Sequence, residues 1–165
     1  MTPSHDVPPP PAPSPADEDL GLVDALAQLS FLVQDALSEL AGQHDLSITQ
    51  TRLLGILRDR EPTMNQLGRH LGLDKSSVTG LVDRAQRRGL VTRTVSALDR
   101  RSYQVSITDA GRQLVEQVAT RFAERIEQCA APLPETDRTL LSRLATRIVT
   151  ADAQARGINL RTTPR

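Results

Sequence analysis

Two stretches of this 165-residue chain carry side chains arranged for chemistry. In both, the chemistry is hydrogen bonding to a polyanion, not bond making. The first is Asp74-Lys75-Ser76-Ser77-Val78-Thr79-Gly80. Small polar residues at the exposed start of a helix can enter a major groove without clash. Their hydroxyls can donate to, or accept from, base edges and phosphates. The positive end of the helix dipole adds attraction for phosphate. Ser and Thr at a helix start also serve as caps. Here Asp74 offers the cap, which leaves Ser76, Ser77 and Thr79 for other partners. The second stretch is Asp99-Arg100-Arg101. Arg101 suits insertion into a minor groove, where narrow width and negative potential favour Arg. An acid at such a tip is repelled unless paired, so Asp99 is expected to orient an Arg. A solvated charged turn is the plainer reading of the same three residues.

These stretches need a helix pair and a hairpin to hold them. Thr63-Met64-Asn65-Gln66 is a capping box that opens a short helix ending near Leu71. Asp74 then caps a helix from Lys75 to Arg88, with Val78, Leu81, Val82 and Ala85 on its buried side. Only Gly72-Leu73-Asp74 separates the two. Gly68 is small where they approach, and Gly72 suits a turn with positive φ. The period then changes to two. Val91, Arg93 and Val95 alternate with Thr92 and Thr94, and Tyr103, Val105 and Ile107 with Gln104 and Ser106. This predicts a hairpin with a basic tip. Helix, tight turn, helix and basic hairpin is the order of a winged helix-turn-helix. A plain helical hairpin in a bundle is the alternative, and the charged hairpin argues against it. Asn65 and Gln66, Gly80, Arg84, Arg88, Arg93 and Arg100 complete the expected contact set. Arg88 is expected at phosphates. Arg84 either reaches phosphate or pairs with Asp83 or Asp99.

Around this lobe the chain is helical. Leu22, Leu26, Leu29, Val33, Leu37 and Leu40 mark a long amphipathic helix over 18–42. Val23, Phe31 and Leu32 widen its stripe and imply a second burial surface, such as another subunit. Ser47-Ile48-Thr49-Gln50 is a capping box for a helix running to about Arg60. Thr108 caps a helix running to about Ala130, with Val115, Val118, Phe122, Ile126 and Cys129 on one stripe. Pro132 and Pro134 break it, and a last helix spans about 135–155 with Leu141, Leu144, Ile148 and Ala151. Seven of the eleven prolines lie in the first fifteen residues, so 1–16 is expected to be a disordered tail.

Composition narrows the function classes. Aromatics are 2% of the chain, so the core must be aliphatic. The 20 basic and 20 acidic residues cancel, yet residues 1–49 hold eight acids and no Lys or Arg, whereas 50–112 hold twelve basic residues and six acids. A basic middle in a neutral chain fits a polyanion-binding lobe on a neutral scaffold. No nucleophile–base pair is evident, so an enzyme is not expected. Cys129 is the single cysteine, which excludes an intramolecular disulfide. His5, His44 and His70 are scattered, and neither metal nor cofactor is expected. No apolar run is long enough to span a bilayer, so the expectation is a cytoplasmic protein.

At this point the residues resemble the MarR-type transcriptional regulators. Asp99-Arg100-Arg101 followed by Val105-Ser106-Ile107-Thr108-Asp109-Ala110-Gly111 is similar to the family's wing: Asp-x-Arg, an apolar strand, then Thr-x-x-Gly opening a helix. The stretch from Asp74 to Arg84, with Arg88-Gly89-Leu90-Val91-Thr92-Arg93, resembles its recognition helix and first wing strand. The likeness runs from about residue 20 to 153. Ala85-Gln86 depart from it, since a larger apolar residue and an acid are commoner there.

The resemblance implies a mostly helical fold with a small β-hairpin wing. The winged helix-turn-helix lobe would span 47–112. Dimerisation helices would span 17–46 and 113–156, and 157–165 would be a flexible end. It implies a homodimer on pseudo-palindromic double-stranded DNA, with recognition helices in major grooves about one turn apart. It also implies a repressor released by a small-molecule effector or by oxidation. Oxidation-sensing relatives carry their cysteine near the start of the first helix, and this chain has none there. Cys129 sits on an apolar stripe, which suits a packed thiol. The competing class is a helical protein-interaction adaptor whose winged lobe binds no DNA. Salt-dependent duplex binding separates the two.

Overall fold

The computed structural model describes residues 19–95 and 103–158. The Pro-rich tail, the hairpin tip with Asp99, Arg100 and Arg101, and residues 159–165 lie outside them. The chain divides into two units, residues 1–32 and 33–165. In the first, the described residues are mainly the opening turns of helix α1 (Gly21–Gly42), and Leu22, Val23, Leu26, Leu29, Phe31 and Leu32 are all exposed.

The second unit contains the rest of α1 and all later elements. Helices α2 (Ile48–Arg58) and α3 (Met64–Leu71) both start with the expected capping boxes. The Ser47 N–H donates to Gln50 Oε1 at 2.9 Å, and the Thr63 N–H donates to Gln66 Oε1 at 2.8 Å. Each box satisfies amides that a helix start leaves without partners. Helix α4 (Lys75–Arg87) follows, then strands β1 (Val91–Val95) and β2 (Tyr103–Ile107). The strands pair antiparallel, with Val91 opposite Ile107 and Val95 opposite Tyr103. Pro62 ends the α2 region and then serves the sheet: its carbonyl accepts from the Val105 N–H at 3.0 Å, beside a bridge between Thr63 and Gln104. Helices α5 (Asp109–Ala130) and α6 (Glu135–Ala155) complete the described chain.

The core is aliphatic. Leu53, Leu54 and Leu57 of α2, Leu67 and Leu71 of α3, and Val78, Leu81, Val82 and Ala85 of α4 pack with Leu90, Val91, Val105 and Val115. Burying one such Leu or Val side chain stabilises by about 1.5–3 kcal/mol. This cluster therefore holds the helix-turn-helix to the hairpin. The stripe expected on α6 is not in it: Leu141, Leu144 and Ile148 are exposed.

Candidate nucleic-acid interface

The turn between α3 and α4 is set by two glycines. Gly72 is left-handed, at φ 67°, where a Cβ is strained. A Cβ on Gly68 would stand 3.1 Å from the Leu73 carbonyl oxygen and 3.6 Å from Val78. Glycine there lets α3 and α4 close on each other. Val78, Leu81, Val82 and Ala85 face inward, so Lys75, Ser76, Ser77 and Arg84 face outward.

At the start of α4, Asp74 organises the serines. Its Oδ1 accepts from the Ser77 N–H at 2.9 Å and from the Ser76 hydroxyl at 2.5 Å, and its Oδ2 accepts from the Ser77 hydroxyl at 2.7 Å. The two hydroxyls, then the amide, hold the Asp74 carboxyl well below the usual carboxylate range. This corrects the expectation that capping leaves the serines free: both give their protons to Asp74. Their lone pairs are what they can offer outward. Thr79 donates to the Lys75 carbonyl at 2.8 Å. Lys75 and Asn65 are exposed and make no side-chain hydrogen bond among the described residues.

Three expected contact residues are committed to the protein. Arg93 pairs with Asp83, and its Nη2 also donates to the Thr79 carbonyl at 3.4 Å. Strand β1 is thus pinned to α4, and Asp83 serves Arg93, not Arg84. Arg88 donates to the Asp45 carbonyl at 2.7 Å and the His44 carbonyl at 2.9 Å. Its two terminal nitrogens hold backbone where a phosphate contact is expected. Gln66 gives its side-chain oxygen to the capping box. Arg84 has no ion-pair partner among the described residues. Its Nη1 lies 3.4 Å from where a Cβ on Gly80 would stand, so Gly80 gives the guanidinium room.

Arg84 thereby borders an open groove of about 500 Å³ with Ser76, Ser77 and Gly80, and with Ser47 and Thr49 at the start of α2. Ser47 and Thr49 are outside the expected contact set, although the Ser47 capping box marks a second helix start. The groove can present one guanidinium and the positive ends of two helices to an anion, and the lone pairs of Ser76 and Ser77 to a hydrogen-bond donor.

His70 is held below its usual pKa by burial, then by Arg60 and Arg69. Among the described residues no group of three His, Cys, Asp or Glu could hold a metal ion, and no helix is long and apolar enough to cross a membrane.

Residues 44–102 match the profile of the MarR family. The chain is 27% identical over 135 residues to the HTH-type transcriptional regulator PecS of Dickeya dadantii (strain 3937), covering 79% of this chain and 81% of PecS. It is 32% identical over 98 residues to the organic hydroperoxide resistance transcriptional regulator of Bacillus subtilis (strain 168), covering 54% of this chain and 67% of that protein. The fold is similar to that of S. aureus MepR in its DNA complex, with a TM-score of 0.66 at 21% identity over 81% of this chain and 99% of MepR. The family's proteins regulate transcription and are not enzymes. Helix order, hairpin register and these likenesses agree, and the chain belongs to the MarR family of winged helix-turn-helix transcriptional regulators.

Proposed function

We propose that the chain is a homodimeric repressor that reads a pseudo-palindromic operator in double-stranded DNA and is released by a small ligand. One observation carries the DNA-reading part. The first turn of α4 turns Lys75, Ser76 and Ser77 away from the core, its third turn does the same with Arg84, and a single groove joins three of the four to the start of α2. A helix can enter a major groove only by such a face. That the similar MepR is solved with DNA supports a duplex as the partner. In this reading Asn65, Lys75, Ser76, Ser77, Thr79, Gly80 and Arg84 approach the major groove and its phosphates. Arg100 and Arg101 serve the adjoining minor groove, with Asp99 orienting them. Gln66, Arg88 and Arg93 shape the surface from within. The exposed apolar residues of α1 and α6 support a second copy as the dimer partner.

The test is capture of fragments of the source genome by the purified chain under reducing conditions, followed by sequencing. The expected result is enrichment of a two-fold-related motif. Arg101→Ala should lose that motif while its oligomeric mass stays unchanged. No enrichment by the unmodified chain would reject this reading in favour of the adaptor. A captured operator that overlaps a promoter, and a promoter that is more active when the chain is absent, would establish repression.

A further inference from the structure

We propose that Arg88 is a positioning residue. It ties the end of the recognition helix α4 to the turn after α1, and so sets the angle at which Ser76 and Ser77 meet a duplex. The duplex part rests on the DNA-binding reading above; the tie itself does not.

Arg88 is the C-terminal cap of α4. Its partners, the carbonyls of His44 and Asp45, lie more than forty residues earlier in the chain. Successive carbonyls of an extended chain point to opposite sides. Asp45 is left-handed at φ 54°, the one such non-glycine among the described residues, and the bend brings both carbonyls to one guanidinium. A planar fork can hold two acceptors in this way, whereas an ammonium is a single point of charge. The turn is itself anchored. The Leu46 N–H donates to the Ala41 carbonyl at 3.0 Å, and both residues are buried. From another side, the start of α5 holds the segment just after α4. Thr108 donates through its hydroxyl to the Gly89 carbonyl at 2.7 Å, and through its N–H to the Leu90 carbonyl at 3.0 Å.

The C-terminal end of α4 is thus gripped by the segments that end α1 and begin α5, while Asp74 to Ser77 at its start are exposed. Ser76 and Arg88 are about 18 Å apart along the helix at 1.5 Å per residue. A tilt of about 10° at the grip moves the serines by roughly 3 Å, far beyond what a hydrogen bond tolerates. Movement of α1 or α5 therefore has a short mechanical route to the base-reading face.

The test compares the full chain with Arg88→Ala and Arg88→Lys, using the duplex captured by the unmodified chain. Affinity is measured over a range of salt. Both variants should bind at least tenfold more weakly, with an unchanged slope of log affinity against log salt. A phosphate contact would instead let Arg88→Lys keep its affinity and lower the slope by about one for Arg88→Ala. That result would overturn the proposal. So would unchanged affinity with only a lower melting temperature. Hydrogen exchange on the DNA-free chain decides the tie independently. The amides of Leu46 and Leu90 should exchange faster together in both variants, and unchanged exchange would overturn the tie. Absence of any captured duplex would count against the DNA-binding reading, while exchange would still decide the tie.

Discussion

Asp74 controls what two serines can say to a base. With both hydroxyl protons directed at its carboxylate, Ser76 and Ser77 face outward as acceptors. Acceptors match the amino groups of adenine and cytosine in the major groove, not the acceptor-rich edge of guanine. Asp74→Asn keeps an oxygen for the Ser77 N–H but places an amide donor among the hydroxyls. Selection from randomised duplexes should then show a changed base preference at one or two positions per half-site. An unchanged preference would remove the serines from base reading. The pH behaviour has a definite sign. The folded Asp74 carboxyl lies below its unfolded value of about 3.9, so its stabilisation is complete above that value and is lost only as pH falls through the folded one. The melting-temperature difference between the unmodified chain and Asp74→Asn should therefore stay flat from about pH 5 to 8.

At the scale of elements, α5 starts where it does because of one close approach. Thr108 caps it, with its hydroxyl accepting from the Gly111 N–H at 3.1 Å while donating to Gly89. A Cβ on Gly111 would stand 2.2 Å from the Leu90 carbonyl oxygen and 2.9 Å from Ile107. The nearest obstacle is backbone, which cannot swing aside. Gly111→Ala should cost about 1–3 kcal/mol or more as overpacking. That corresponds to a fall of several degrees in melting temperature at about 2–4 °C per kcal/mol. Gly68→Ala, with 3.1 Å to the Leu73 oxygen, should cost less. Equal melting temperatures for the two variants would refute the close-approach argument. Elements of this kind are legible in sequence because caps, glycine stops and hydrophobic periods are local. The two capping boxes, the tight turn at 72–74, the two wing strands and the start of α5 all follow from residues within a few positions of each other. The tie from Arg88 to His44 and Asp45 is not legible. An arginine at a helix end looks alike whether its partner is a phosphate or a distant carbonyl. Asp83 shows the same limit: Arg84 is its neighbour in sequence, but Arg93 reaches it across the fold.

At the scale of the whole molecule, one chain leaves long apolar side chains of α1 and α6 uncovered. Ile148 and Val149 of α6 are 54% and 55% exposed, and Leu140, Leu141 and Leu144 are about two-fifths exposed. Scattered exposed leucines are ordinary, but a run of them along a single helix marks an interaction surface. The breadth of the α1 stripe carries the same implication in sequence, and on α1 Leu22 and Val23 are exposed to more than 70%. A two-fold partner would bury such surfaces in both copies at once, because a symmetric interface presents the same patch from each side. It would also hold two recognition helices at a fixed spacing, as a pseudo-palindromic site requires. Ile148→Glu places a charge in that surface without touching the buried core, which is drawn from the end of α1, the segment from Leu46 to β2 and the start of α5. Light scattering should give twice the chain mass for the unmodified protein and a lower mass for Ile148→Glu at the same concentration. The variant should keep the far-ultraviolet helical signature and bind the captured duplex at least tenfold more weakly, since each half-site would then be held alone. If both proteins have the mass of one chain and bind the duplex equally, the two-fold arrangement is wrong, and a different partner must cover α6.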